Sequence, residues 1–346
     1  MAKFLVIRLS ALGDVAMTIP IVYSAARCNP DDSFTILTQS FLMPVFINRP
    51  SNVDVVGIDI LGSEKKLVGL MRFVSVLLEE HFDAVLDLHD VIRTKCIRSM
   101  FMLRGKKIFV IDKGRAEKLA LTRKKKKYFK QLKPITERYS DVFRRAGLKY
   151  EEHFQTLYDE KPADLSRVEK ELGEKTGRWI GVAPFAKHEG KIYPPGLMSL
   201  VVDTLSQRDG TRLFLFGGGG YERDILEEWA CEHPHNVTSL AGKRYGFAKE
   251  LALLSHCDVM LSMDSANMHL ASLVELPVVS VWGATHPYCG FTGWHQNPAN
   301  EVQADLPCRP CSVFGNKPCQ RGDYACLRGI DYHAIVQRLD NVINQR

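Results

Sequence analysis

Short apolar runs alternate with longer amphipathic ones along the first half of the chain. Residues 3–8, 34–38, 53–58, 84–88 and 107–111 are rich in Val, Ile and Leu and apolar on both faces, the pattern of buried parallel strands. Between them lie helical stretches, the clearest over 65–80, where apolar residues recur three and four apart. Strand–helix alternation predicts a doubly wound α/β layer. Residues 112–134 break the rhythm with Arg123-Lys124-Lys125-Lys126-Lys127 and read as a basic loop with short helices, followed by a helix over 135–147. The polar, acidic stretch 150–176 reads as an interdomain linker. The alternation then restarts, with strands predicted at 179–183, 213–216, 258–262 and 278–281. Helices are predicted at 195–207, 222–231, 247–255 and 265–274. Beyond 283 the pattern dissolves into Gly, Pro and Cys until a last helix over 332–344. The expected architecture is two Rossmann-like halves facing each other across a cleft, with ligands beyond the carboxyl ends of the strands.

Length and charge sharpen this picture. A chain of 346 residues suggests two domains. No apolar run approaches the ~18 residues of a membrane span, and the apolar stretch at the N-terminus is too short for a signal peptide, so a cytoplasmic protein is expected. The net charge is +6, yet residues 104–149 alone carry +13 and the remainder −7. The basicity is therefore local and bears on one partner-facing region. Nine cysteines argue against a complete disulfide framework.

Four strand-to-helix loops carry candidate chemistry. The first strand runs into Arg8-Leu9-Ser10-Ala11-Leu12-Gly13-Asp14, with one glycine where a dinucleotide fingerprint needs three. Asp14 suits a helix cap as well as catalysis. Asp264-Ser265-Ala266-Asn267-Met268-His269 follows a strand and opens a helix whose first amides suit an anion; plain capping by Asp264 or Ser265 and a packing role for His269 are the alternatives. Gly217–Gly220 and Glu222 form a turn that lets backbone approach a ligand, with the carboxylate placed to accept ribose hydroxyls. Lys187 and Lys191 are the only cations of the loop 182–195. No phosphate-binding P-loop motif occurs, which removes P-loop kinases and ATPases.

Taken in order, these segments resemble glycosyltransferase family 9, the lipopolysaccharide heptosyltransferases. The resemblance rests on Arg8-Leu9-Ser10-x-x-Gly13-Asp14 with Pro20, on Lys191-x-Tyr193-Pro194, and on Gly217-Gly218 before Glu222. It continues through Leu240-Ala241-Gly242-Lys243, Asp264-Ser265-x-x-Met268-His269-Leu270-Ala271 and Gly283-x-Thr285-x-Pro287. Ala266-Asn267 stand where the family has Gly-Pro, and Tyr193 where it has Trp. The resemblance implies a GT-B fold with an acceptor domain over 1–165, a donor domain over 166–330 and a closing helix over 331–346. It implies metal-independent, inverting transfer of a heptose from ADP-heptose to the inner core of a lipid A acceptor. Asp14 would then be the general base and Lys191 the cation on the donor phosphates. Gly218 and Glu222 would hold the ribose, and Asp264, Ser265, Ala266, Asn267, Met268 and His269 the diphosphate.

Ser10, Gly13 and Lys124, Lys125, Lys126 and Lys127 are expected to meet the acceptor, an anionic glycolipid at the cytoplasmic face of the inner membrane. Residues 104–149 are expected to project from the first domain for that purpose. No cofactor beyond the donor substrate, no metal and no nucleic acid are expected, and the protein is expected to be a monomer. Two alternatives stand beside this reading: a GT-B enzyme using another nucleotide sugar, and a nucleic-acid binder whose Tyr128 and Phe129 stack bases beside lysines. Cys308, Cys311, Cys319 and Cys326 fit a tetrahedral zinc site. With only one C-x-x-C pair, reduced thiols packed in a glycine-rich loop are the favoured reading.

Overall fold

The computed structural model describes residues 1–346 apart from Glu160, Pro162, Arg244 and Arg346. The chain divides into two compact units, Met1–Lys113 with Pro134–Lys161, and Gly114–Lys133 with Pro162–Arg346. Among the described residues no helix is long and apolar enough to cross a membrane.

The first unit is built on β1 (Lys3–Ile7), β2 (Ser33–Gln39), β3 (Val53–Ile58), β4 (Ala84–Asp87) and β5 (Lys107–Val110), paired all-parallel in the order β3-β2-β1-β4-β5. Central β1 buries Leu5, Val6 and Ile7 completely, which is why its sequence shows no alternation. Helix Leu67–Glu79 turns Leu70, Val74 and Leu77 onto this sheet, against Val85, Ile97 and Phe101. Helix Ile92–Leu103, which the sequence reading did not resolve, follows β4.

The stretch read as a linker is not free chain. Up to Lys161 it belongs to the first unit. The Ser24 hydroxyl accepts the amides of His153 and Phe154, each at 3.1 Å, and Phe154 and Leu157 are buried. Helix Ser166–Leu172 opens the second unit, with Val168 and Leu172 inside.

The second unit carries β6 (Arg178–Ala183), β7 (Thr211–Leu215), β8 (Val237–Ser239), β9 (Val259–Met263), β10 (Val278–Trp282) and β11 (Glu301–Gln303), again all-parallel, in the order β11-β10-β9-β6-β7-β8. The two edge strands, β8 and β11, escaped sequence reading because three residues are too short for a period. Helix Tyr332–Asn344 packs Ile335, Leu339 and Val342 into the same core as Val201, Leu205 and Val281. It is part of this unit and not an appendage.

The basic region is split between the units, so the expectation that 104–149 projects as one surface of the first is corrected. Residues 114–133 belong to the second unit because their few apolar side chains find partners there. Leu121 and Leu132 bury against Cys289, Tyr288 and Phe291, and the Leu132 amide donates to the Tyr288 carbonyl at 3.0 Å. Lys118 is buried with its ammonium 4.5 Å from the Phe291 ring centroid. Lys127 donates to the carbonyls of Cys308 at 2.8 Å and Pro310 at 2.9 Å. Of the run 123–127, Arg123, Lys124, Lys125 and Lys126 are exposed and Lys127 is not.

If this apolar anchor holds the segment down, Leu121→Ala removes about 2–5 kcal/mol of local packing. Trypsin is then expected to cut at 123–127 faster in Leu121→Ala than in the parent, while the remaining fragments stay protected. Equal cleavage rates in both would show that other contacts hold the segment.

Candidate functional site

Each unit gathers polar side chains just beyond the carboxyl ends of its central strands. In the first, β1 delivers Arg8, whose side chain is buried and whose Nη1 donates to the Leu88 carbonyl at 2.8 Å. Its Nη2 pairs with the Asp14 carboxylate, and its Cζ lies 5.8 Å from the Tyr139 ring centroid. Asp14 sits in helix Leu12–Ala16 and also accepts the Ala11 amide at 3.1 Å. It is thus a cap and an ion-pair partner together, and 29% of its side chain remains exposed against 8% for Arg8.

β4 delivers His89, which sequence reading passed over. Its Nδ1 accepts the Leu9 amide at 3.3 Å and its Nε2 lies 3.1 Å from the Ser10 hydroxyl. An acceptor at Nδ1 assigns the proton to Nε2, which then donates to Ser10. Burial, and then the charges of Arg8 and Lys113, push the imidazole down to about 3, so it is neutral at physiological pH. Asp87, fully buried, accepts the amides of His89 and Asp90 at 2.9 Å each and pairs with Arg98 at 2.7 Å. The signal was present, since polar Asp87–Asp90 directly follows an apolar strand next to β1. Gly13 lies within the short helix, one residue before Asp14.

In the second unit the loop after β6 delivers Lys191, the loop after β9 Asp264 and the loop after β10 Thr285. Lys191 Nζ lies 2.9 Å from Asp264 Oδ2, and the Thr285 hydroxyl donates to the same oxygen at 2.7 Å. Here the carboxylate is the buried member, with 6% of its side chain exposed against 16% for Lys191. The lysine stem packs on Gly315, where a Cβ would come within 2.6 Å of Lys191 Cγ. Tyr193 is fully buried and donates to the Ile330 carbonyl at 2.8 Å, so the aromatic of this motif is a structural pin. Lys187 is exposed and has no part in this cluster.

Helix Ala266–Ser272 starts after Ser265, whose hydroxyl lies 3.2 Å from that of Ser262. Ala266 is absent from the positive-φ positions, so alanine stands there without backbone strain. Asn267 is half-exposed, whereas Met268 and His269 are buried in the packing behind it. Glu222, at the start of helix Tyr221–Glu232, folds back to accept the Gly218 amide at 2.7 Å. The structure therefore brings Lys191, Asp264 and Thr285 together, leaves Glu222 capping its own turn, and puts Lys127 on backbone carbonyls.

His89 supplies a pH test. The unfolded imidazole takes a proton below about 6.5 while the folded one stays neutral until about 3, so this group's share of stability is present above 6.5 and is lost as pH falls toward 3. By pH 5 the part lost amounts to about 2 kcal/mol. His89→Gln is expected to flatten the decline in unfolding free energy between pH 7 and 5 by that amount in urea melts. A decline as steep as the parent's would place the acid sensitivity elsewhere.

Comparison with known proteins bears on what these clusters serve. A family model, Glycosyltransferase family 9 (heptosyltransferase), matches residues 70–320. Lipopolysaccharide heptosyltransferase 3 of Escherichia coli (strain K12) is 25% identical over 300 residues, covering 82% of this chain and 83% of the relative. The crystal structure of a family 9 glycosyl transferase from Veillonella parvula superposes over 100% of this chain and 98% of its own, with a TM-score of 0.77 at 16% identity. An E. coli heptosyltransferase solved with ADP-2-deoxy-2-fluoro heptose covers 98% and 99% of the two chains, with a TM-score of 0.68 at 17% identity. These likenesses extend over both units and show a shared fold.

Proposed function

The chain belongs to glycosyltransferase family 9, and from that membership we propose that it moves a heptose from ADP-heptose to the inner core of a lipid A-linked acceptor, with inversion and without a divalent ion. The observation that carries this reading is the opposite polarity of the two ion pairs. In the first unit the cation is buried and the carboxylate looks outward; in the second the carboxylate is buried and the ammonium is the more exposed member. One unit thus offers a proton acceptor and the other a positive charge, the two things that a direct displacement on a nucleotide sugar requires.

In that reaction Asp14 takes the proton of an acceptor hydroxyl, whose oxygen attacks the anomeric carbon. The bond from that carbon to the diphosphate oxygen breaks, and ADP departs with the electron pair. Lys191 stabilises the charge growing on the leaving phosphate. Asp264 acts through Lys191: a carboxylate repels a diphosphate, and its Oδ2 already receives the ammonium and Thr285. Ser265, Ala266 and Asn267 offer their amides to the phosphates, with Met268 and His269 packed behind. Glu222 exchanges the Gly218 amide for ribose hydroxyls. Ser10, oriented by neutral His89, and Gly13 border the acceptor hydroxyl.

The exposed Lys124, Lys125 and Lys126 draw the anionic acceptor at the inner-membrane face, each worth at most about 1 kcal/mol. Of the two aromatics behind the nucleic-acid alternative, Phe129 packs edge-on to His286 and tilted against Tyr288, at centroid distances of 5.0 and 4.9 Å.

Asp14→Asn is expected to leave the fold and ADP binding intact and lower turnover by about 100-fold or more; rates within threefold of the parent would leave Asp14 as a cap alone. Lys191→Gln is expected to weaken ADP-sugar binding and slow transfer together by about 100-fold, whereas Lys187→Ala changes neither, and transfer persists in excess EDTA. ADP is expected to raise the melting temperature where UDP and GDP do not. A shift with UDP or GDP in its place would mark a different nucleotide sugar.

A further inference from the structure

The first unit carries an apolar face that its own packing leaves uncovered. Half of the large hydrophobic side chains exposed among the described residues fall within residues 61–103 of 346. Scattered apolar residues on a surface are ordinary, whereas a contiguous group marks a place that something covers. Helices Leu67–Glu79 and Ile92–Leu103 lie side by side. Both turn one side inward on the same sheet, with Leu70, Val74 and Leu77 from the first and Ile97 and Phe101 from the second. Their outward sides are apolar as well. Leu67, Val68, Met71 and Val76 are exposed on the first helix, and Ile92, Met102 and Leu103 on the second. A helix that faces only water keeps a polar outer side, so the fold of this unit does not account for these residues.

Charge identifies what covers the face. Glu79, at the end of the first helix, is the one acidic residue in the two helical sequences. Lys65 and Lys66 lead into the first helix, Arg72 and Lys95 lie on the pair, and Arg104 follows the second; all five are exposed. Apolar side chains fringed by cations match an anionic lipid surface, where lysine and arginine meet headgroups and the apolar residues enter the acyl boundary. A second copy of the chain matches poorly, because a twofold contact sets these cations against their own equivalents. An unrelated protein fits less well too. Protein interfaces favour aromatic residues and shed lysine, and the residues exposed on these helices are Leu, Val, Ile and Met. With thirteen and twelve residues the helices are too short to cross a bilayer, which takes about 20. They suit its surface.

We propose that the outer face of helices Leu67–Glu79 and Ile92–Leu103 docks on an anionic phospholipid bilayer, with Val68, Met71, Ile92 and Leu103 inserted and the five cations on the headgroups. The inference rests on the proposed function for its choice of bilayer, since a lipid A-linked acceptor is held in one. It assigns the membrane contact to apolar side chains of the first unit, apart from the pull of Lys124, Lys125 and Lys126 in the second.

The test is flotation of the full chain with vesicles of phosphatidylglycerol and phosphatidylethanolamine that carry no glycolipid, and with vesicles of phosphatidylcholine alone. Binding to the anionic vesicles is expected, tighter than to the neutral ones by about 10-fold or more. The triple variant Val68→Gln, Ile92→Gln, Leu103→Gln is expected to lose about 10-fold or more of that binding. It should keep the parent's melting temperature, because all three side chains are exposed. Leu200→Gln, an exposed apolar position of the second unit, is the unchanged control. The parent's tryptophans all lie in the second unit, so quenching gained by Leu103→Trp on vesicles with brominated acyl chains reports insertion at this face. Equal binding by the triple variant, or no quenching gained at position 103, would overturn the proposal and leave adhesion by charge alone. Failure of the parent to bind vesicles would overturn it as well, and a dimer that the triple variant dissolves would then give the face to a second copy. Transfer to a deacylated, water-soluble acceptor separates this inference from the function, and the triple variant is expected to keep that activity. Vesicle binding without any heptose transfer would sink the function alone, and transfer without vesicle binding the docking alone.

Discussion

The buried carboxylate of Asp264 sets the terms for the second unit. It lies at the end of β9, the strand between β6 and β10, where apolar packing on both faces leaves little water to solvate a charge. An unpaired carboxylate in such a place costs several kcal/mol, so the neighbouring loops supply partners. The loop after β6 bends through a turn of 3₁₀ helix at Glu189–Lys191 to bring in the ammonium, and the loop after β10 brings Thr285. Both loops come close because Gly190 and Gly283 carry no side chains: a Cβ at Gly283 would lie 2.6 Å from the Gly190 carbonyl oxygen. The Ala284 amide donates to that carbonyl at 2.7 Å. Satisfying one buried charge thereby fixes three strand ends against each other.

The irregular tail follows from the same constraint one layer further out. Arg309 gathers the carbonyls of the loop after β10, which would otherwise be buried acceptors facing no donor. The Ala284 carbonyl accepts the amides of Cys311 at 3.1 Å and Ser312 at 3.3 Å. A stretch with almost no regular secondary structure is thus ordered by side-chain and turn hydrogen bonds. The basic segment 114–133 closes over it with Lys127, Phe129 and Leu132. A run of lysines that looks solvated in one dimension contains one that is structural.

This explains what could and could not be read from sequence. Strands such as Val53–Ile58 and helices such as Tyr332–Asn344 were legible to within a residue or two because burial imposes a period on them. The strand-end positions of Asp14, Lys191 and Asp264 were legible because loops after parallel strands are where polar residues collect. Pairings were not. Nothing in the spacing of Lys191 and Asp264 announces that they meet, nor that Lys127 reaches Cys308, because those contacts depend on how loops distant in sequence converge. His89 was missed for another reason: it lies one residue past the strand read at 84–88 and was given no role, though its ring is held by residues that follow β1. The short strands β8 and β11 have too few residues for any pattern to register.

The choice of cation in each pair follows from which member must stay available. Arg8 is the buried partner, and a guanidinium has a planar fork that can grip two acceptors in fixed directions; it uses one arm on the Leu88 carbonyl and the other on Asp14. The carboxylate is thereby aimed without being enclosed. At 191 the cation is the more exposed partner, and a compact ammonium with three donors suits that place. One donor goes to Asp264; under the proposed function the others serve phosphate oxygens. Lysine at position 8 would hold Asp14 in a less defined direction, and arginine at 191 would need room that the Gly315 backbone, already against the lysine stem, does not leave. The two units thus reach opposite chemistry from one element of design, a cation and a carboxylate at a strand end, by exchanging which of them is buried.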